Sequence, residues 1–273
     1  MRALLLAALA GCATAPSSHA GYASIDGLHM YYEEHGHGRP LVLLHGGGST
    51  AQTSFGAIIP ALARDHHVIA PEQQGHGHTA DIDRPMSFEQ MADDTAALLD
   101  QLGVHDADIM GFSNGGMVAL QLAIRHPALV RRLIVCSSYY AHAGLVPALR
   151  DGFAHASADS MPAPLRDAYL AAAPHPDLAA YVAKTVKMML SFPDIPESAL
   201  KSIAAPTLVM VADHDVVMLD HEQQLAQLVQ HGQLAVFPGS EHGTYLGAAE
   251  AAKPGSPLPA IAVTMIEAFL GRP

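Results

Sequence analysis

Cysteine is nearly absent from this chain of 273 residues, with two in all. Cys12 and Cys136 cannot build a disulfide framework, and Cys136, inside the apolar run 133–136, reads as a buried strand thiol. Basic residues are scarce too. The 14 Lys and Arg against 26 Asp and Glu leave a formal charge of −12. They are spread thinly, so nothing is clustered to neutralise phosphates, which argues against nucleic acid or an anionic membrane surface as partner. There are 18 His, but the close pairs His35/His37, His66/His67 and His76/His78 lack a third ligand at metal-site spacing. No metal and no organic cofactor is expected. A long apolar run is missing as well: residues 3–10, behind Arg2, are too short to span a bilayer.

That short run has the form of an export signal, so residues 1–20 are expected to be a leader and tether. Residues 9–12, Leu-Ala-Gly-Cys, resemble a bacterial lipobox. A lipid on Cys12 would then be the only link to a membrane, while a rival processing point follows Ser18-His19-Ala20. The expected location is periplasmic or membrane-anchored, with the cytoplasm as the alternative.

Half of the residues are apolar, enough for one large domain core with an insertion. Residues 21–34 alternate about a turn at Asp26-Gly27 and predict a hairpin. Residues 41–44, Leu-Val-Leu-Leu, form a continuous apolar run, the mark of a strand buried on both faces, and lead into His45-Gly46-Gly47-Gly48. A helix is predicted over 54–63, a strand over 67–70, and a capped helix after Ser87, with Gln90 reaching back to complete a capping box. Strand and helix go on alternating through 131–140. They then give way to four helix-like segments punctuated by prolines, and resume with a strand at 207–211, a second capping box at 220–223, a strand at 234–237 and a helix at 258–270. This alternation, without internal repeats, predicts an α/β fold. It is a doubly wound, mostly parallel sheet, with core residues 21–138 and 206–273 and a helical cap at 139–205.

Residues 111–116, Gly-Phe-Ser-Asn-Gly-Gly, sit between an apolar strand and a helical pattern. A Cβ at Gly111 or Gly115 would collide with the neighbouring strand or helix, and Ser113 would stand strained at the tip of the turn facing a cleft. The free N–H groups of the next helix's first turn would point at whatever bonds to its hydroxyl. A serine needs a base, and the base needs a group to orient it. Two later strand ends supply candidates: residues 211–215, with Asp213 and Asp215, and residues 237–243, with His242.

The His-Gly-Gly-Gly loop, the Gly-His-Gly loop at 75–77, the turn around Ser113, the acid after the strand that follows the cap, and Gly-Ser-Glu-His at 239–242 together resemble the α/β-hydrolase family from about Gly27 onward. The resemblance implies Ser113 as nucleophile, His242 as base and then acid, Asp215 as orienting acid with Asp213 as rival, and backbone N–H groups of Gly47 and Asn114 as oxyanion donors. Gly48 competes with Gly47, and His45 would be structural. It implies hydrolysis of carboxylic esters or lactones through an acyl-enzyme. A carbon–carbon bond hydrolase of ring-cleavage products and a non-catalytic ligand-binding protein are the alternatives. The cap is expected to line a pocket for small to medium apolar esters with Tyr139, Tyr140, Met188 and Met189, joined by Met218 beside the acid loop. Phe153, Met161, Tyr169 and Phe192 are further candidates.

Overall fold

The protein was described from a computed structural model, which covers residues 17–271. Eight strands form one sheet: β1 (Ser18–Ile25), β2 (Leu28–Gly36), β3 (Arg39–Leu44), β4 (His66–Pro71), β5 (Ala107–Phe112), β6 (Val130–Cys136), β7 (Thr207–His214) and β8 (Gly232–Glu241). Their order is β1-β2-β4-β3-β5-β6-β7-β8. β1 and β2 make the predicted hairpin: Ile25 faces Leu28, and Asp26 and Gly27 take the positive φ that a two-residue turn requires. β2 is antiparallel to β4, and all remaining pairs are parallel. Cys12 and the start of the expected leader lie outside the described residues, while Ser18, His19 and Ala20 open β1, paired with His35, Glu34 and Glu33. Among the described residues no helix is long and apolar enough to cross a membrane.

The helices are α1 (Ala51–Phe55), α2 (Ile59–Leu62), α3 (Phe88–Gln101), α4 (Asn114–Arg125), α5 (Pro147–Phe153), α6 (Ala163–Ala172), α7 (Leu178–Ser191), α8 (Glu197–Lys201), α9 (Leu219–Leu228) and α10 (Leu258–Leu270). They cover both sheet faces, and the central strands bury alternate residues on each. Val42 and Leu44 join the core under α3 and α4, while Leu41 and Leu43 join the core under α1, α2 and α10. This is why the run at 41–44 is continuously apolar. Each such side chain contributes roughly 1.5–3 kcal/mol relative to exposure. α5 to α8 lie in the connection between β6 and β7. Tyr139, Met188, Met189 and Phe192 continue the core on the α3–α4 side, which seats this cap on the sheet.

Three local expectations change. The helix over 54–63 is split into α1 and α2, because Pro60 stands in the first turn of α2. It has no N–H for an i−4 bond, and its ring would clash with the preceding turn. Ser87 caps α3 through the Gln90 N–H, but the Gln90 side chain donates to Asp94 rather than back to the cap. The box at 220–223 does not form. α9 starts after Met218, Asp220 lies inside the first turn, and Glu222 is buried, where its carboxyl accepts the Ser138 N–H at 2.7 Å.

At the end of the sheet away from the loops described below, Arg131 of β6 pairs with Asp108 of β5, whose side chain has no exposed surface, and donates to the Leu270 carbonyl at the end of α10. Replacing one member of a buried pair strands the other charge. Arg131→Met is expected to destabilise the protein by about 3–5 kcal/mol, read as a lower urea midpoint with unchanged slope.

Candidate active site

Ser113 joins β5 to α4 with φ 54° and ψ −122°, a conformation rarely tolerated outside glycine. The neighbouring glycines show what forces it. A Cβ on Gly111 would lie 2.1 Å from the Gly115 carbonyl oxygen, and one on Gly115 would lie 2.0 Å from that of Leu44. The turn is thus wedged against the end of β3. It is also pinned to β6: the Ser113 N–H donates to the Cys136 carbonyl at 2.9 Å, and the Ser138 hydroxyl donates to the Ser113 carbonyl at 2.8 Å. The Ser113 side chain makes no capping bond to α4. The first N–H groups of the helix, Asn114's among them, have no intrahelical acceptor.

The loop after β3 lies against this turn. The Gly46 N–H is taken by Ser54 Oγ at 3.1 Å, which removes it as a free donor. A Cβ on Gly47 would lie 2.5 Å from Asn114 Nδ2, so the two expected oxyanion donors come from segments in contact. Tyr139 helps set that contact by donating its hydroxyl to Asn114 Oδ1 at 2.6 Å, which turns Nδ2 toward Gly47. Gly48 has φ 74°. His45 is structural. Its Nδ1 donates to the Gly46 carbonyl and its Nε2 accepts the Gln73 N–H, while burial and the adjacent His76 depress its pKa to about 3. It stays neutral and has no nitrogen left for other work.

His242, just past β8, meets Asp215, just past β7: Nδ1 lies 2.7 Å from Oδ1, and the carboxyl has no exposed surface. Burial alone would raise the Asp215 pKa. The hydrogen bond and charge of His242, the Ser137 hydroxyl and the Ala212 N–H outweigh it and hold the carboxyl below the usual range. The Ser137 bond measures 2.5 Å, and Val216 and Val217 N–H groups complete the shell. Asp213 is elsewhere, exposed and occupied by the N–H groups of Gly239 and Ser240. His214 is exposed, and Glu241 faces Lys253.

Ser113, Asn114, Gly46, Gly47, Gly48 and His242 all line one cavity of about 480 Å³ between sheet and cap. Phe112 packs on the His242 ring at 4.8 Å between centroids. From the cap, Tyr139, Met189, Phe153 and Met161 reach the wall as expected, along with Leu165, Tyr181, Val182 and Val186. Tyr140, Met188 and Met218 lie off this cavity and correct the expectation. Tyr140 stacks instead on His221, with ring centroids 3.9 Å apart. Met188, about 100° round α7 from Met189, lines a small void beside His45 and His76. Met218 is the N-cap of α9 and ties its N–H to the Gly144 carbonyl. Tyr169 stacks on Tyr181, and Phe192 packs between Phe88 and Tyr139.

Sequence reasoning missed Ser137 and Tyr181. The Tyr181 hydroxyl donates to His76 Nε2 at 2.9 Å, joining α7 of the cap to the loop after β4. Neither residue carries a local signal, because its partner is 78 or 105 positions away.

A family model for the alpha/beta hydrolase fold matches residues 39–191. The chain is similar to the 2-hydroxymuconate semialdehyde hydrolase of Pseudomonas sp. (strain CF600), at 37% identity over 115 residues, 41% of each chain. It spans about two fifths of the length of the curated relatives matched in this way. Among solved structures, the meta-cleavage product hydrolase from Pseudomonas fluorescens IP01 superposes with a TM-score of 0.76 at 21% identity, over 92% of this chain and 97% of that one, a likeness of fold. Est816, described as an N-acyl homoserine lactone degrading enzyme, gives a TM-score of 0.72 at 25% identity over 89% and 98% of the two chains.

The donors around Asp215 make a pH-dependent prediction. A carboxyl whose folded pKa is depressed adds stability above its unfolded value, and that stability is lost as pH falls through the folded value. Ser137→Ala removes a hydrogen bond to this ionised group and is expected to cost about 1.5–3 kcal/mol at pH 7. The difference from the parent should shrink as the pH drops below the ordinary carboxylate value near 4, measured by urea unfolding down to the lowest pH at which both proteins are folded.

Proposed function

The chain belongs to the α/β-hydrolase fold family, and on that premise we propose that it is a serine hydrolase acting on carboxylic esters or lactones of small to medium, largely apolar substrates. The observation that carries the reading is the 2.7 Å bond from His242 to the buried Asp215, with Ser113 on the wall of the same cavity as His242. Asp215 accepts Nδ1–H and so fixes the tautomer that leaves Nε2 free to take a proton. In acylation, Ser113 Oγ bonds to the substrate carbonyl carbon while its proton passes to Nε2. The oxyanion is held by the N–H groups of Gly47 and Asn114. The carbon–oxygen bond to the leaving alcohol then breaks as His242 returns the proton to it. Water repeats the sequence on the acyl-enzyme and releases the acid.

Two assays test the mechanism. Ser113→Ala and His242→Ala should each lower kcat on a p-nitrophenyl ester by about 10⁴ to 10⁶, and a serine-reactive phosphonate should label the parent at Ser113. Absence of labelling at Ser113 in folded protein would sink the acyl-enzyme reading. The apolar wall from Met161, Leu165, Val182, Val186 and Met189 further predicts that kcat/KM rises with acyl length and then falls once about 480 Å³ is filled. A flat profile across p-nitrophenyl esters defeats that assignment.

Cleavage of a carbon–carbon bond is the second reading, favoured by the similarity to a 2-hydroxymuconate semialdehyde hydrolase. Bleaching of a coloured dienol ring-cleavage product, faster than any ester is turned over, would put it first. We further propose export with Cys12 as the lipid-bearing residue, since processing after Ala20 would remove three paired residues from β1. Mass spectrometry of the mature N-terminus decides between the two cuts.

A further inference from the structure

A second strained serine lies beside the first. Ser137, the residue after β6, has φ 46° and is fully buried. Glycine would take this conformation without steric cost, whereas a serine holds it only where its surroundings compel it. The use of its side chain is the point at issue. The hydroxyl lies 2.5 Å from Asp215 Oδ2 and 2.9 Å from the Tyr245 hydroxyl, which also donates to the Met210 carbonyl at 3.0 Å. An ionised carboxylate only accepts, so the Ser137 proton goes to Asp215. The other donors to Asp215 show why this one matters. The Ala212, Val216 and Val217 N–H groups belong to β7 and to the loop that carries Asp215 itself, so they move with it. His242 is the group that Asp215 has to orient. Among the described residues, Ser137 is the remaining donor to this carboxylate, and it comes from the end of a different strand.

The next residue grips the nucleophile. The Ser138 hydroxyl donates to the Ser113 carbonyl at 2.8 Å, and the Ser138 N–H is held by the buried Glu222 at 2.7 Å. The turn is also pressed onto α4. A Cβ on Gly116 would lie 2.4 Å from Ser138 Cβ, which accounts for the third glycine of the motif at 111–116. Two consecutive side chains thus hold the acid on one side and the nucleophile turn on the other.

We propose that the Ser137–Ser138 turn sets the acid against the nucleophile, with Ser137 a positioning residue that acts through Asp215 on His242. The inference rests on the serine-hydrolase reading and deepens it. Asp215 orients the imidazole, so a carboxylate released from Ser137 lets Nε2 drift from the Ser113 hydroxyl. Such misalignment slows the reaction, while the apolar wall that binds substrate is untouched.

Ser137→Ala, Ser137→Gly and Ser138→Ala test it, assayed on one p-nitrophenyl ester with urea unfolding alongside. Both Ser137 variants lose the hydroxyl, but only glycine relieves the strain, so Ser137→Gly should have the higher urea midpoint of the two. Their activities should nevertheless agree. Each should lower kcat and kcat/KM alike by about tenfold, leaving KM near the parent value, the mark of lost alignment rather than lost binding. Ser138→Ala should act similarly, since the Ser113 carbonyl keeps the Gly116 N–H and the variant removes only the tie to the turn. The double variant Ser137→Gly/Ser138→Ala should lose little more than the worse single one, because either break uncouples the same two groups. Ser137→Gly carries the test even where Ser137→Ala does not fold. Activity that follows stability, with Ser137→Gly back near the parent, overturns the assignment. So does a loss confined to KM, or a double variant whose losses multiply. If the parent neither hydrolyses the ester nor takes the phosphonate at Ser113, the serine-hydrolase reading falls and this inference with it. A labelled, active parent whose variants keep their kcat removes the inference alone.

Discussion

The positive φ of Ser113 is the constraint on which the rest of the site depends. A non-glycine residue holds that conformation only where its surroundings leave no alternative. Here the alternative is removed by close backbone approach. Gly111 and Gly115 let the turn fold back on itself and press against the ends of β3 and β6, and bonds from Ser113 to Cys136 and Ser138 clamp both sides. The same approach brings the Gly46–Gly48 loop into contact with Asn114, so one steric arrangement exposes the hydroxyl and assembles the backbone donors beside it.

Electrostatically the site is organised around a single buried negative charge. Asp215 is ionised because it collects donors from His242, Ser137 and three backbone N–H groups. Burial works against charge on its neighbours. Glu222, fully buried behind it, has its pKa raised well above the usual value by burial, opposed only in part by the Ser138 N–H. The Cys136 thiol is pushed up by burial and has no reactive character. His45 and His76 are held uncharged by burial while their nitrogens brace the loops after β3 and β4. Asp215 thus sets a carboxylate in a fixed place against His242, an arrangement that suits the role proposed for this histidine.

The cap contributes shape and several polar links to the core, among them Lys184 to Asp81 and two made by tyrosines. Tyr139 holds the Asn114 side chain, and Tyr181 holds His76. Through these contacts the helices that close the cavity are mechanically joined to the loops beneath it, so the pocket wall and the glycine loop form one packed body. Thioether and aliphatic groups supply much of the wall, which makes its lining adaptable. Polar side chains such as Ser49, Ser157, Ser160, Thr185 and Glu250 interrupt it.

The fold and the positions of Ser113, Asp215 and His242 were legible in the chain itself, because each rests on local physics. Continuous apolar runs require strands buried on two faces, small residues require a tight turn, and strand ends in a parallel sheet converge on one crevice. Which of two nearby residues faces the cavity was not legible. Tyr139 and Tyr140 are adjacent, as are Met188 and Met189, and the direction of each follows from how the segment after β6 and α7 are seated on the core. The family resemblance favoured Asp215 over Asp213, and the tertiary structure shows where the rival carboxylate goes: it is drawn off by two N–H groups of β8. The sequence alone thus determined the architecture and the chemical types at the strand ends. Only folding decided their partners and the contents of the cavity, because Ser137 and Tyr181 acquire meaning through neighbours that the chain brings to them from far away.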